Sequence, residues 1–204
     1  MFEISVIATF FLASAAIVAV PGPTVSLIIA NALRAGTGAG LANVVGTQVG
    51  LASMIVVLAA GLDAVVALMG AAFVYVKLLG AAYLIYLGVK LLRSKGELQQ
   101  RKGDRRSSLG YAIQGFLVIW SNPKALLFFG AFIPQFVNPA AHAGLQVLVY
   151  GGIFMIVATV LDTVYAVAAG RAGALLTRGR IRIVERLSGA LLVAGGVGLA
   201  LTRR

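Results

Sequence analysis

The chain has 204 residues, of which 60% are hydrophobic and 11% are charged, and its mean hydropathy is +0.99. A soluble domain has about 25% charged residues, so this composition excludes an ordinary soluble protein and indicates a bilayer. A net charge of +11 would suggest nucleic acid in a soluble chain. Here the Lys and Arg residues lie between apolar segments, as the positive-inside rule predicts, and no nucleic-acid partner is expected.

The chain lacks cysteine and has a single histidine, His142. The lack of cysteine excludes disulfides, thiolate metal sites and cysteine nucleophiles. One histidine, in a short connection between apolar segments, is too few for a histidine metal cluster or a Ser-His-Asp triad. The sequence therefore predicts no metal site, no cofactor and no enzymatic activity.

Apolar segments follow one another along the chain, at residues 4–33, 41–62, 71–92, 109–137, 144–169 and 187–201. A hydrocarbon core about 30 Å thick is crossed by about 20 residues of α-helix. The first segment is longer than this, roughly 45 Å as a helix, as expected for a broken or steeply tilted span. The pattern predicts an all-α integral membrane protein with six transmembrane helices in a single domain over residues 1–204.

Basic residues alternate between the connections of these segments. The connections after the first, third and fifth segments carry Arg34, six basic residues between 93 and 106, and five between 171 and 186. The connection after the second segment has none, and the one after the fourth has only His142. Loops rich in Lys and Arg stay in the cytoplasm. We therefore predict a multi-pass protein of a bacterial inner membrane, with both termini in the periplasm.

Two Pro/Gly breaks interrupt the first and fourth segments, at Pro21-Gly22-Pro23 and at Asn122-Pro123-Lys124. Proline removes a backbone N–H and clashes with the preceding helical turn, and glycine loosens the backbone further. Counted from the cytoplasmic ends, both breaks lie roughly 15–21 Å along a helix, near the midplane. The backbone groups freed there must be satisfied by protein, water or ligand. We therefore expect the binding site at the two breaks.

An internal repeat accompanies the matched breaks. Each half has a broken span, an intact span and a third span. The third spans begin with similar sequences, KLLGA at 77–81 and RLSGA at 186–190. The predicted halves are residues 1–95 and 109–204, joined by a cytoplasmic linker at 96–108. Because three spans per half is an odd number, the halves have opposite orientations and form an inverted 3+3 repeat.

Two charged residues lie deep in the predicted spans. Lys124 at mid-depth costs on the order of 3 kcal/mol unless it faces a cavity or a partner, and we expect it to meet a substrate carboxylate beside the freed amides. The alternatives are a structural ion pair with Asp162, or snorkelling. Asp162 is predicted to carry protons or to hold the substrate's ammonium group. It is otherwise a counter-ion for Lys124, or lies nearer the cytoplasmic end.

Uncharged polar residues also occur within or near the spans, namely Thr24, Asn31, Asn43, Thr47, Gln48 and Gln114. Such side chains more often join helices than bind ligands. Two of them are predicted to contact substrate: Thr24, because it adjoins a break, and Gln48. The predicted substrate-binding residues are thus Pro21, Gly22, Pro23, Thr24, Gln48, Asn122, Pro123 and Lys124, with Asp162 assigned to proton coupling.

These motifs resemble the LysE/RhtB family of amino-acid exporters (lysine exporter and homoserine/threonine resistance). The resemblance covers nearly the whole chain and is carried by PGP at 21–23 with the glycines that follow it, GAAYLIYLG at 80–88, GF at 115–116 before NPK at 122–124, and PQFV at 134–137. The family commonly has asparagine after the first-span Pro-Gly-Pro, where this chain has Thr24. The resemblance implies a six-helix protein that moves amino acids or close derivatives out of a bacterial cytoplasm, driven by the proton gradient or the membrane potential.

The functional prediction is a secondary exporter that works by alternating access, with an amino acid, protons and the lipid bilayer as its partners. A metal carrier should show several Cys, His or acidic ligands, and an aspartyl intramembrane protease needs two deep acids. The alternatives that remain are a related carrier for another small solute or ion and a non-transporting membrane assembly subunit. The particular amino acid and a homo-oligomeric state stay open.

Overall fold

The computed structural model describes residues 3–61, 73–93, 107–138, 140–175 and 178–201. Within these ranges the regular structure is helical and no strand occurs, so the all-α prediction is confirmed there. The helices are α1 (Ile4–Ala19), α2 (Pro23–Ala35), α3 (Thr37–Ala60), α4 (Phe73–Leu92), α5 (Ser108–Trp120), α6 (Pro123–Leu127), α7 (Ala143–Leu175) and α8 (Arg178–Leu201). A π-helical turn (Phe128–Phe132) and a 3-10 turn (Ile133–Phe136) follow α6.

Three helical stretches are long and apolar enough to cross a bilayer alone: Thr37–Ala60, Ala143–Gly173 and Arg182–Leu201. Two helix pairs pass the same test together, α1 with α2 and α5 with Pro123–Phe136, and they are bent by 52° and 51°. In α4, the apolar stretch Leu78–Leu92 is shorter. The described residues therefore hold three candidate spans, or five if each bent pair is one span. The chain is a multi-pass membrane protein.

The bend between α1 and α2 lies at residues 20–22. Val20 ends α1 in an extended conformation (φ −76°, ψ 116°), and Gly22 is also extended (φ −131°). Pro23 then occupies the first turn of α2, where its missing N–H removes no intrahelical hydrogen bond. The chain thus ends one helix and starts another with little intervening backbone.

The second bend is organised by Asn122, which caps α6. Its side-chain Oδ1 accepts a hydrogen bond from the backbone N–H of Lys124 at 3.0 Å, and Pro123 takes the first helical position. Asparagine at the N-cap and proline at the first helical position are both favoured at helix N-termini. The new helix is only five residues long before it passes into the π-helical and 3-10 turns, so the segment after the bend is irregular.

The helices extend further into the second predicted basic connection than the sequence indicated. α7 continues to Leu175 and includes Arg171, and α8 already begins at Arg178. Arginine is a good helix former, and no proline occurs between these positions to stop either helix. All five basic residues predicted to lie in this connection are therefore helical.

The predicted linker 96–108 lies largely outside the described residues, which resume at 107. Ser107 caps α5, because its hydroxyl accepts a hydrogen bond from the N–H of Gly110 at 3.2 Å. Helix α5 therefore begins at Ser108, one residue before the predicted start of the second half.

Glycine lets the helices pack with their backbones close together. An added Cβ on Gly88 of α4 would lie 2.7 Å from the carbonyl oxygen of Gly189 on α8, and one on Gly196 would lie 2.8 Å from that of Ala81. Helix α3 approaches α5 in the same manner at Gly46. Small residues at such crossings are typical of helix association in membranes.

An aromatic cluster joins α1, the turns after α6, and α7. Its members are Phe10, Phe128, Phe129, Phe132, Phe136, Tyr150 and Phe154. The ring of Phe10 lies 4.8–5.9 Å from four of the others, and Phe128 stacks on Phe154 at 4.2 Å. The cluster belongs to the largest apolar core of the described chain and adjoins the cavity between the two bends.

Candidate functional site

A cavity lies where the two bends face α3 and α7. Its polar wall is formed by Gly22, Thr24, Thr47, Asn122, Lys124 and Asp162, and its apolar wall by Ile17, Val18, Val25, Leu51, Ile119, Ala125, Phe154 and Ala158. Its volume is about 30 Å³, enough for one or two water molecules. The cavity is therefore narrow.

Five of the nine predicted site residues line this cavity, and four do not. Pro21 is exposed, Pro23 packs against Gly195 on α8, and Pro123 only starts α6. These prolines shape the backbone of the site without lining its cavity. Gln48 also lies outside the lining, although its amide is enclosed and has no hydrogen-bond partner among the described residues.

Thr47, rather than its neighbour Gln48, faces the cavity. Successive helical residues point about 100° apart, so only one of the two faces the same side. The four-residue spacing of Thr47 to Leu51, which also lines the cavity, identifies the inward face of α3. Gln48 is three residues before Leu51 and lies on nearly the same face, so the spacing alone could not have selected Thr47.

Lys124 is held by the end of α1. Its ammonium donates hydrogen bonds to the carbonyl oxygens of Ile17 at 2.8 Å and of Val20 at 2.7 Å. The last carbonyls of a helix have no intrahelical donors and carry partial negative charge. Two of the three N–H groups of the ammonium therefore stabilise the break, and one is left for another acceptor.

Tyr165 of α7 supplies a further donor to the same helix end. Its hydroxyl donates to the carbonyl oxygen of Ala19 at 2.8 Å. Together with Lys124, it satisfies carbonyls that the break frees from helical bonding. No sequence signal indicates this role, since it depends on which face of α7 meets the end of α1.

Asn122 joins the two breaks directly. Its Nδ2 donates to the hydroxyl oxygen of Thr24 at 2.8 Å, across 98 positions of sequence, and both side chains are buried. Since its Oδ1 already caps α6, both ends of the amide are used. The N-terminus of α2 and the N-terminus of α6 are thereby fixed side by side.

The amino end of α2 points into this space. Thr24 and Val25 in its first turn both line the cavity, and Gly22 at the N-cap offers no side-chain acceptor. The first N–H groups of a helix have no intrahelical acceptor and carry partial positive charge. The cavity thus combines an ammonium, a helix N-terminus and hydroxyl groups, a donor set suited to a carboxylate.

Asp162 faces this donor set from α7. Only 3% of its surface is exposed, and it lines the same cavity as Lys124. These are the charged side chains among the described lining residues. The cationic side chain lies on one side of the cavity and the acidic side chain on the other, which matches the two charges of a zwitterion.

A polar network lies between α2, α3 and α5. The Nδ2 of Asn31 donates to Asn43 Oδ1 at 2.8 Å and to Gln114 Oε1 at 3.1 Å, and Asn43 Nδ2 donates to the carbonyl oxygen of Tyr111. None of these residues lines the cavity. They join helices, as the sequence indicated for residues of this type.

The sequence reasoning missed a second buried acid, Glu185 of α8. Its side chain is fully buried, and its two oxygens have no hydrogen-bond partner in the described part of the chain. Glu185 falls before the predicted sixth segment, which begins at residue 187, whereas α8 already begins at Arg178. Glu185 does not line the cavity. Among the described residues, no group of three His, Cys, Asp or Glu side chains could hold a metal ion.

Comparison with known proteins places the chain in a family. A profile of the LysE type translocator family matches residues 15–203. Over 123 residues the chain is 32% identical to an uncharacterised membrane protein of Synechocystis sp., and 29% and 28% identical to homoserine/homoserine lactone efflux proteins of Salmonella typhimurium and Salmonella typhi. These matches span 59% of this chain and 59–60% of each relative's length. No solved structure gives a significant match.

The family match extends over most of the chain and includes both breaks and every residue that lines the cavity. It confirms the resemblance seen in the sequence motifs. The family consists of translocators rather than enzymes, in agreement with the prediction that the chain has no enzymatic activity. The chain belongs to the LysE type translocator family.

Proposed function

We propose that this protein is a secondary transporter that exports amino acids or close derivatives from a bacterial cytoplasm across the inner membrane. The observation that carries the proposal is the cavity at the two breaks, where Lys124, the N-terminus of α2 and Asp162 offer partners for both charges of a zwitterion. The names of the Salmonella relatives, which are efflux proteins, support the direction of transport.

The transmembrane arrangement proposed is an inverted repeat of three plus three helices, with residues 1–95 and 109–204 as its halves and 96–108 as the cytoplasmic linker. Each bent pair would be one broken span. The similar bends of 52° and 51° at PGP and NPK support this arrangement, as does the close packing of α4 on α8, the third span of each half. The distribution of the basic residues supports a periplasmic position for both termini.

Transport requires this cavity to widen. Pockets for small molecules are typically about 300–1,000 Å³, whereas this cavity measures about 30 Å³. In an alternating-access carrier such a narrow site would widen as the protein passes into its inward-open or outward-open form. The end of α1 and the starts of α2 and α6 lie beside it and are joined by the hydrogen bonds of Asn122 and Lys124.

In this mechanism Lys124 and the amides of α2 bind the substrate carboxylate. Asp162 couples transport to protons, because one buried carboxylate can hold either a proton or the substrate's ammonium group. Substrate release on the periplasmic side would leave Asp162 free to take up a proton there. The return of the protein to its inward-open form would then carry this proton to the cytoplasm. The proton gradient would thereby drive export.

Efflux from cells preloaded with dipeptides tests the proposal. We expect cells that express the protein to release amino acid faster than cells without it, and a protonophore to abolish the difference. Lys124→Ala and Asp162→Asn should lower this release at least tenfold at equal protein levels, whereas Lys90→Ala, at an exposed position of α4, should not. If no amino acid in the panel is released in excess, the protein carries another solute or is not a transporter. Wild-type release by both site variants would remove the assigned roles.

A further inference from the structure

The cavity has a polar end and an apolar end. Helices α3 and α7 run antiparallel beside it, since Gly170 packs on Thr37 and Gly151 packs on Ile55. This register puts Thr47 within about one turn of Asp162 and puts Leu51 beside Phe154. Along α7, Phe154 and Asp162 are eight residues apart, about 12 Å of helix. Both helices therefore change from polar to apolar in the same direction.

The apolar end is closed by three large side chains from three helices. Leu51, Ile119 and Phe154 all line the cavity, and 1%, 5% and 6% of their surfaces are exposed. Ile119 lies at the level of Leu51, because a Cβ on the adjacent Gly50 would overlap the Ile119 side chain. Phe154 is held by its stack on Phe128. The wall is thus densely packed and belongs to the largest apolar core.

The charged side chains of the described lining are Lys124 and Asp162. Lys124 lies at the same end as Asp162, because its ammonium and the hydroxyl of Tyr165, three residues after Asp162, both donate to the end of α1. A bound amino acid would place its carboxylate at Lys124 and its ammonium at Asp162, so neither charge would be left for the substrate's side chain. That side chain would then point along the cavity toward Leu51, Ile119 and Phe154. An unpaired charge buried there would lose its hydration without gaining a partner, at a cost of several kcal/mol.

We propose that Leu51, Ile119 and Phe154 are specificity-determining residues, which select amino acids with uncharged side chains over basic and acidic ones. The inference rests on the proposed function, since it assigns the substrate class of the same cavity. It makes two separate claims: the native protein rejects a charged side chain, and the rejection is caused by the lack of a countercharge at the apolar end.

The first claim is tested on the unmodified protein in proteoliposomes loaded with equal concentrations of threonine, leucine, lysine and glutamate, under an imposed proton gradient. We expect threonine and leucine to leave at least ten times faster than lysine and glutamate. Lysine or glutamate leaving as fast as threonine would overturn the inference while leaving an amino-acid exporter. Release of none of the four would contradict the proposed function itself, and the inference with it.

The second claim is tested by Leu51→Asp, with Leu51→Asn as the matched control of the same shape without charge. We expect Leu51→Asp to raise the ratio of lysine to leucine release at least tenfold, and Leu51→Asn to leave lysine excluded. Ile119→Asp, on another helix at the same level, repeats the test if Leu51→Asp does not fold. Unchanged lysine release in a folded Asp variant, or equal lysine release in the Asn control, would overturn the assignment.

Discussion

The smallest unit of the site is the side-chain pair of Asn122 and Thr24. A single amide caps α6 with its oxygen and holds α2 with its nitrogen, so it fixes the distance between two helix starts that are 98 positions apart. Asn122 is only 2% exposed and Thr24 only 6%. A buried donor that loses its acceptor keeps the full desolvation cost. The pair is therefore a point at which stability and export should fail together.

Thr24→Val tests this pair, since valine has nearly the shape of threonine but no acceptor. The unpaired Nδ2 of Asn122 should cost about 1–3 kcal/mol, which lowers the melting temperature by several degrees for a chain of this length. Export should fall as well. Thr24→Ser keeps the hydroxyl and should stay close to wild type in both measurements. Equal melting temperatures for the Val and Ser variants would show that the hydrogen bond contributes nothing.

At this scale the sequence predicted residue types better than orientations. Lys124, Asp162 and Thr24 could be selected from the sequence, because a charge or a hydroxyl near a helix break needs a polar partner or a cavity inside the bilayer. Thr47 lines the cavity and the predicted Gln48 does not, because the direction of a side chain depends on which face of α3 meets the other helices. The hydrogen bonds from Lys124 and Tyr165 to α1 likewise depend on tertiary packing.

At the scale of elements, the approach of α3 to α5 is set by glycine. A Cβ on Gly46 would overlap the backbone carbonyl of Ala112, and one on Gly115 would overlap that of Asn43. Neither obstacle is a flexible side chain, so neither can move aside without a shift of a helix. The same crossing carries the amide network of Asn31 and Asn43 and positions Thr47 and Leu51 at the cavity.

Gly46→Ala should therefore destabilise the protein despite alanine's higher helix propensity. Overpacking against a backbone typically costs about 1–3 kcal/mol, and we expect a lower melting temperature in detergent together with weaker export. Gly152→Ala on α7 is the control, since an added Cβ there has no atom within 4 Å. It should be neutral or stabilising by up to about 1 kcal/mol. Equal melting temperatures in the two variants would mean that α3 and α5 do not need this close approach.

Element positions were predictable where hydrophobicity and proline decide them, and not where packing does. Both bends fall at the stretches PGP and NPK that the sequence singled out. The π-helical turn at Phe128–Phe132 was not predicted, although Pro134 in the following 3-10 turn lacks the N–H that would continue an α-helix there. The extent of α7 was underestimated because arginine, which marks the end of a membrane segment, does not end a helix.

At the scale of the whole molecule, the two proposed halves meet through several elements. Asn122 of the second half holds Thr24 of the first, and Lys124 holds the end of α1. Helix α4 of the first half packs on α8 of the second. The cavity is accordingly lined by both halves, which is the arrangement in which rocking of one half against the other opens the site to alternate sides.

The membrane topology that this mechanism needs can be tested directly, because the chain has no cysteine. His142 before α7 and Gly179 after it are both exposed, and they should lie on opposite sides of the membrane. We expect His142→Cys to react with a membrane-impermeant maleimide in intact spheroplasts, and Gly179→Cys and Arg93→Cys to react only after lysis.

The reverse pattern would invert the topology and put the basic residues outside, against the positive-inside rule. Labelling of His142→Cys and Gly179→Cys from the same side would show that α7 does not span. The inverted repeat would then be lost, since the two halves could no longer have opposite orientations.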